Sequence, residues 1–269
     1  MILRTTIFFL LASAVVACST NPITGRKQLS LVPEQELHTM ANKEYRNFLS
    51  SHRVVSPSAD RDAAMVRRVG QRVANAVTSY YRQQGLSEAL QGYNWEFNLV
   101  NDKAANAWAM PGGKVVVYTG LLPITRNEAA LAVVIGHEIS HAIFRHGNER
   151  MSQGLAAQGL GTGLSVALAN KPQATQNLFY QAFGIGANVG VLLPFSRKQE
   201  LEADRYGLIW TAMAGYNPRE AVTLWKRMEQ MSNNQRPPEF LSTHPAEGRR
   251  IQELERHMPE ALKYYKPGR

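Results

Sequence analysis

The spacing of apolar positions divides the chain into segments of different period. From Ala59 onward, Ala63, Val66, Val69, Val73, Ala76, Val77 and Tyr80 recur every three or four residues. That period predicts a long amphipathic helix ending before Gly85. Residues 93–100, YNWEFNLV, change to alternation with Trp95, Phe97 and Leu99 on one side, and GGKVVVYTG at 112–120 predicts a second strand. Upstream, a helix is expected from Pro33 to about Leu49, preceded by a tether and turn over 19–32 and followed by a linker at Ser56-Pro57. The run ALAVVIG at 130–136 is apolar on every side, so its helix belongs in the centre of the domain. Thr125 followed by Glu128 reads as a capping box for that helix, and Gly147 as its stop. Ser196 with Gln199 opens another helix, running to Gly215, and Asn217-Pro218-x-Glu220 caps the next. The tail from His244 reads as a turn followed by a charged helix, and no internal repeat is present.

Composition narrows the setting. The 269 residues are 44% hydrophobic, enough for a packed core, and carry a net charge of +9. A basic surface suits nucleic acid, anionic lipid or acidic polymers. At the N-terminus Arg4 is the only charge before an apolar run from Ile7 to Val16, and the sole cysteine, Cys18, ends it. This reads as a short export signal over 1–17, and Val15-Val16-Ala17-Cys18 resembles a lipobox with lipid attachment at Cys18. A plain secretory signal with an incidental cysteine is the alternative. Export argues against nucleic acid as a partner, and one cysteine excludes an internal disulfide. Over 151–196 Lys171 is the only charged residue. Two helices packed through small residues near the site are expected there, since the Gln and Asn content suits a membrane hairpin poorly.

The chemistry concentrates in GHEISHAIFRHG, residues 136–147. His137 and His141 are four apart, so on a helix both imidazoles project from one face and can hold one metal ion. Glu138, offset around the helix, has the place of the general base in the H-E-x-x-H zinc signature. A catalytic zinc takes a third protein ligand and leaves one position open. Glu200 in ELEAD supplies a carboxylate, with Asp204 one turn on to accept the free N–H of a ligand histidine. Glu202, two residues on, is expected to point to a different face. So is His146, five beyond His141, which is read as structural.

The stretches NPITGRKQLSLV, NAWAMPGGKVVVYTGLL, GHEISHAIFRHG, ELEADRYG and STHPAEGRRI occur in this order between Asn21 and Ile251. They resemble the zinc metallopeptidase family that includes CAAX prenyl endopeptidase and the heat-shock protease HtpX, and within it the lipoprotein branch of the bacterial periplasm. The resemblance implies an α+β, mostly helical, zincin-like catalytic domain with a small β-sheet beside the H-E-x-x-H helix. It divides the chain into a signal peptide (1–17), an N-terminal tether and helix (18–55) and a metallopeptidase domain (56–269). One Zn²⁺ per chain is implied on His137, His141 and Glu200, with Glu138 as base, Asp204 supporting the metal site and Arg250 matching the arginine of the last motif. His244 is either a donor to the transition-state oxyanion or an occluding fourth ligand. The implied substrates are misfolded or unassembled envelope proteins. The implied location is the periplasmic side of the envelope, at the outer membrane through a lipid on Cys18. Substrate is expected to add as an extended strand beside Lys114–Tyr118. A lipoprotein chaperone or assembly factor with a structural zinc is the competing function, and the intact Glu138 favours catalysis.

Overall fold

The computed structural model describes residues 18–158, 172–185, 194–233, 237–245 and 249–267. The expected signal, 1–17, lies outside the described residues. The segment read as a tether forms an antiparallel ribbon of β1 (Cys18–Thr20) and β2 (Lys27–Leu29). Its turn is made by Asn21, whose side-chain oxygen accepts the Ile23 and Thr24 backbone N–H groups, and by Gly25 at φ 69°. Next come α1 (Glu34–Ser51), β3 (Val54–Val55) and α2 (Arg61–Gln83), the last opened by Asp60 accepting from the Ala63 N–H. Of the period-3.6 positions of α2, Ala63, Val66, Val69, Val73, Ala76 and Val77 are buried, while Tyr80 is half-buried and Tyr81 takes the inner place.

A four-stranded sheet follows from β3, β4 (Glu96–Val100), β5 (Ala107–Met110) and β6 (Lys114–Tyr118), in the order β3-β4-β6-β5. β6 runs parallel to β4 and antiparallel to β5. Both edges of β6 are therefore hydrogen-bonded, and the expectation that substrate pairs with Lys114–Tyr118 fails. Its unbroken valines mark a strand covered on both faces. The outer strand on this side is β5.

α3 (Glu128–Ile143) carries the H-E-x-x-H residues and is buried from Ala130 to Ile143. Asn127, not Thr125, caps it, accepting the Ala130 N–H at 2.8 Å. Thr125 instead ends a short helical turn, Leu122–Thr125, and Arg126 at φ 65° separates the two. Nor is Gly147 a stop. α3 gives way at Phe144 and Arg145 (φ 57°), and α4 (His146–Ala157) starts at once. Gly147 lies inside α4, where glycine is required by close packing: a Cβ there would come within 1.9 Å of the Phe183 ring.

The remaining helices are α5 (Pro172–Phe183), α6 (Arg197–Met213), α7 (Glu220–Asn233) and α8 (Arg250–Leu262). The Ser196–Gln199 capping box opens α6 as expected. α4 and α5 pack on each other with Gly154 against Leu178, the small-residue contact anticipated for this stretch. Residues 159–171 and 186–193 of the stretch lie outside the described residues. Among the described residues no helix is long and apolar enough to cross a membrane.

The central contact is α3 against α6. A Cβ on Gly136 would meet the Gly207 carbonyl oxygen at 3.0 Å, and one on Gly207 would meet the His137 nitrogen at 3.0 Å. Glycine at both positions lets the backbones nearly touch. One turn away the Trp210 indole N–H donates to Ser140 Oγ at 2.9 Å. This crossing brings the start of α6 over the histidine face of α3.

Candidate metal centre

His137 and His141 project from one face of α3, and their Nε2 atoms are 2.9 Å apart. Glu200, in the first turn of α6, sets Oε1 3.3 Å from His141 Nε2 and Oε2 3.6 Å from His137 Nε2. His244 follows the helical turn Phe240–Thr243 and completes the group, with Nδ1 2.9 Å from Glu200 Oε1 and 3.2 Å from His137 Nε2. One donor atom from each of the four residues lies within 4.8 Å of all the others. The His244 ring stacks between Phe195 and Phe240, with centroids at 5.1 and 4.3 Å. The backbone of Phe195 donates to the Thr243 carbonyl at 2.9 Å, tying these two segments together over the cluster.

The donor set fits zinc. Ligand atoms about 2.0–2.1 Å from a tetrahedral ion stand roughly 3.3 Å from one another, close to the spacings found. Three imidazole nitrogens converging in a buried site leave lone pairs facing each other, an arrangement a cation relieves. Glu138 Oε1 and Glu200 Oε2 are likewise buried without a well-directed hydrogen bond, although His244 Nε2 lies 3.3 Å and Arg250 Nη1 2.5 Å away respectively.

Electrostatics separate the two glutamates. Burial, then the neighbouring Glu200 charge, push the Glu138 carboxyl well above the usual range, while the Ala109 backbone of β5 hydrogen-bonds it. Burial works against Glu200 as well, yet Arg250, His244 and His137 outweigh it and hold its carboxyl well below that range. Two carboxylates side by side thus have opposite proton affinities, the division of labour that acid–base chemistry uses. Burial also lowers His141 strongly and His244 to about 4, which keeps both imidazoles neutral and able to ligate.

Every candidate from the sequence falls in this cluster or against it. Asp204 Oδ1 is 3.0 Å from His137 Nδ1, off the ring N–H axis. Asp204 also takes a two-pronged ion pair from Arg250, through Nε at 2.8 Å and Nη2 at 2.7 Å. One expectation needs correction and one is completed. His146 is not remote from the site: its Nδ1 lies 2.9 Å from His141 Nδ1, and its Nε2 lies 2.8 Å from Glu202 Oε2. Glu202 does leave the metal face, but it does so toward His146. Arg150 was missed altogether. It is buried, lies 3.8 Å over the Phe195 ring, and has Nε and Nη1 without hydrogen bonds among the described residues. Burial brings its guanidinium down to about 9. An arginine followed by Met151 and Ser152 carries no periodic signal that would have marked it.

A zinc site of two helix-borne histidines and a carboxylate from a second helix, with a glutamate beside the first histidine, defines a zincin-like metallopeptidase. The comparison with known families agrees: the sequence pattern of peptidase family M48 matches residues 60–258. The chain belongs to that family, and its metal is zinc. It is 35% identical over 243 residues to the mitochondrial metalloendopeptidase OMA1 of Schizosaccharomyces pombe, covering 89% of this chain and 66% of that protein. Similarity to the mitochondrial metalloendopeptidase OMA1 of Homo sapiens is 29% over 250 residues, 90% of this chain and 46% of the relative. The β-barrel assembly-enhancing protease of Escherichia coli is 34% identical over 164 residues, 56% of this chain and 32% of that protein. The chain thus spans 32% to 66% of these relatives' lengths.

These relatives overturn the expected location. Proteins aligned with about nine-tenths of the chain are mitochondrial enzymes, which points away from the periplasmic face of an outer membrane. That expectation rested on a short apolar run, one cysteine and a resemblance to one branch of the family; hydropathy does not encode a compartment, and catalytic motifs shared across a family do not separate its branches.

Proposed function

We propose that the chain is a zinc-dependent endopeptidase that cleaves unfolded or unassembled proteins in quality control. The observation that carries this reading is the place of Glu138, a buried carboxylate beside the cluster whose Oε1 lies 3.3 Å from His244 Nε2 without a well-directed hydrogen bond. A site that only holds structure has no use for a base there. In this reading His137, His141 and Glu200 hold the ion. When bound, zinc supplies Lewis acidity toward the scissile carbonyl and acidifies water. Glu138 accepts the proton of the attacking water and delivers it to the leaving amine. Asp204 fixes the His137 ring. β5, whose Ala109 amide already reaches Glu138, is the strand along which an extended substrate lies, and main-chain pairing there suits unfolded chains of varied sequence. Cys18, exposed at the start of β1, is the attachment point this reading gives to a lipid, and loss of membrane association in Cys18→Ala tests that part.

Glu138→Gln tests the catalytic reading directly. It is expected to retain about one zinc per chain and to lose casein cleavage by about 10²–10⁴-fold. Wild-type cleavage by this variant would end the enzyme reading. His244 supports a second reading, a chaperone or assembly factor with structural zinc, because it brings a fourth ligand into the position that catalytic sites leave open. Under the peptidase reading His244 is an occluding ligand and His244→Ala cleaves faster than wild type. Under the second reading no variant cleaves, and a chelator changes stability alone.

A further inference from the structure

The two histidines proposed as ligands are not supported alike. His137 has a carboxylate at its far nitrogen. His141 has another histidine, and the carboxylate stands one ring further out. If His141 presents Nε2 to the ion, its Nδ1 carries the proton and donates to His146 Nδ1, 2.9 Å away. His146 must then hold its own proton on Nε2, where it donates to Glu202 Oε2 at 2.8 Å. One assignment of tautomers satisfies both contacts without charging either ring.

Arg26 closes the line. Its Nε donates to Glu202 Oε2 at 2.9 Å, and its Nη1 bonds both oxygens of Glu149 at 2.9 and 2.8 Å. Glu149 in turn accepts from Gln199 Nε2 at 2.8 Å, one residue before Glu200. A residue of the N-terminal ribbon therefore grips α4 and α6 at once, and it lies upstream of the part of the chain that matches the family pattern.

We propose that Arg26, Glu202 and His146 are positioning residues for the zinc site. Arg26 fixes Glu202, Glu202 fixes the tautomer and plane of His146, and His146 aims His141 Nε2 at the ion. The relay is as direct as the carboxylate–histidine contacts that commonly stand behind metal ligands, lengthened by one imidazole. It rests on the reading of His141 as a ligand. No covalent step is involved.

The test uses the full chain and three readouts: zinc affinity by competition with a chelator, the visible spectrum of the cobalt(II)-substituted protein, and the Tm of the zinc-free protein. Glu202→Gln is expected to weaken zinc binding by about 10-fold and His146→Ala by up to about 100-fold. Arg26→Ala should move in the same direction by less. In Glu202→Gln and Arg26→Ala the cobalt band should shift, while the zinc-free Tm falls by no more than about 4 °C. Unchanged zinc affinity in Glu202→Gln and Arg26→Ala overturns the proposal. So does weakened binding with an unmoved cobalt band, which is what loss of helix packing alone produces. Should His146→Ala fail to fold, the other two variants decide. His141→Ala separates the premises: if it keeps full zinc affinity, the ligand reading fails; if it loses zinc while Glu202→Gln does not, only the relay fails.

Discussion

Glu202 and Asp204 stand two residues apart on α6, and each meets an arginine from an opposite end of the chain. Asp204 pairs with Arg250 of the C-terminal helix, and Glu202 with Arg26 of the N-terminal ribbon. The pairs differ in depth. Arg250 and Asp204 side chains are 4% and 5% exposed, against 21% and 9% for Arg26 and Glu202. Arg250 also reaches Glu200, bonds the His244 and Pro245 carbonyls, and lies 3.6 Å over the Trp225 ring. Depth decides what each pair is worth. A buried pair gains little over an apolar replacement, but losing one partner strands the other charge out of water. A pair that touches solvent can rehydrate.

This contrast orders the effects of mutation. Arg250→Ala leaves both Asp204 and Glu200 uncompensated, and about 3–5 kcal/mol of folding stability should be lost in urea unfolding of the zinc-free chain. A loss under about 1 kcal/mol would show that depth does not matter here. Arg26→Ala should cost about 1 kcal/mol, and added salt should shrink the difference from wild type, because that pair is partly screened. Arg205, the next residue on α6 after Asp204, extends the series outward. It makes a two-pronged pair with Glu260 at 2.8 Å, but both side chains are more than a third exposed. Arg205→Gln should cost under about 0.5 kcal/mol. Its pH dependence has a definite sign. Arg205 holds the Glu260 carboxyl below its usual value, so the contribution is full above the ordinary glutamate range and is lost as pH falls from there through the lowered value. Urea unfolding of wild type and Arg205→Gln should converge at acid pH.

The same contrast shows what the sequence could and could not disclose. The Asp204 side was readable because it obeys one regular helix: Glu200 and Asp204 are four apart, as are His137 and His141. The Glu202 side was not, because its geometry depends on a break. On a continuous helix His146 points away from His141, but the chain turns left-handed at Arg145 and a new helix begins, which resets the angle. Glu202 was correctly placed off the metal face, yet what waited on its other side came from α4 and from Arg26, 176 residues distant. β4 was visible in its alternation and β6 in its run of valines, whereas β1, β2, β3 and β5 are two to four residues long and gave no periodic signal; the order that makes β6 internal and β5 the outer strand depends on pairing, which periodicity does not encode. Caps followed the same rule. The Ser196–Gln199 box was legible because its partners are local, and Asn127 displaced Thr125 because Arg126 ended the preceding turn.

The depth of the cluster also bears on how strongly any peptide is held. Glu138, His137, His141, Glu200 and His244 are each no more than 3% exposed. Engagement of a peptide bond by Glu138 therefore requires an arrangement in which these side chains are more exposed. The observed affinity equals the intrinsic affinity multiplied by the fraction of molecules in that arrangement: at about 1% open, every substrate binds about a hundredfold more weakly than the bare site would allow. Such a factor is blind to side-chain identity. It penalises a folded protein that offers a strand only rarely twice over, since two uncommon events must coincide, and an unfolded chain only once. Discrimination between folded and unfolded polypeptides would then arise from the statistics of coincidence, without a pocket for any particular residue.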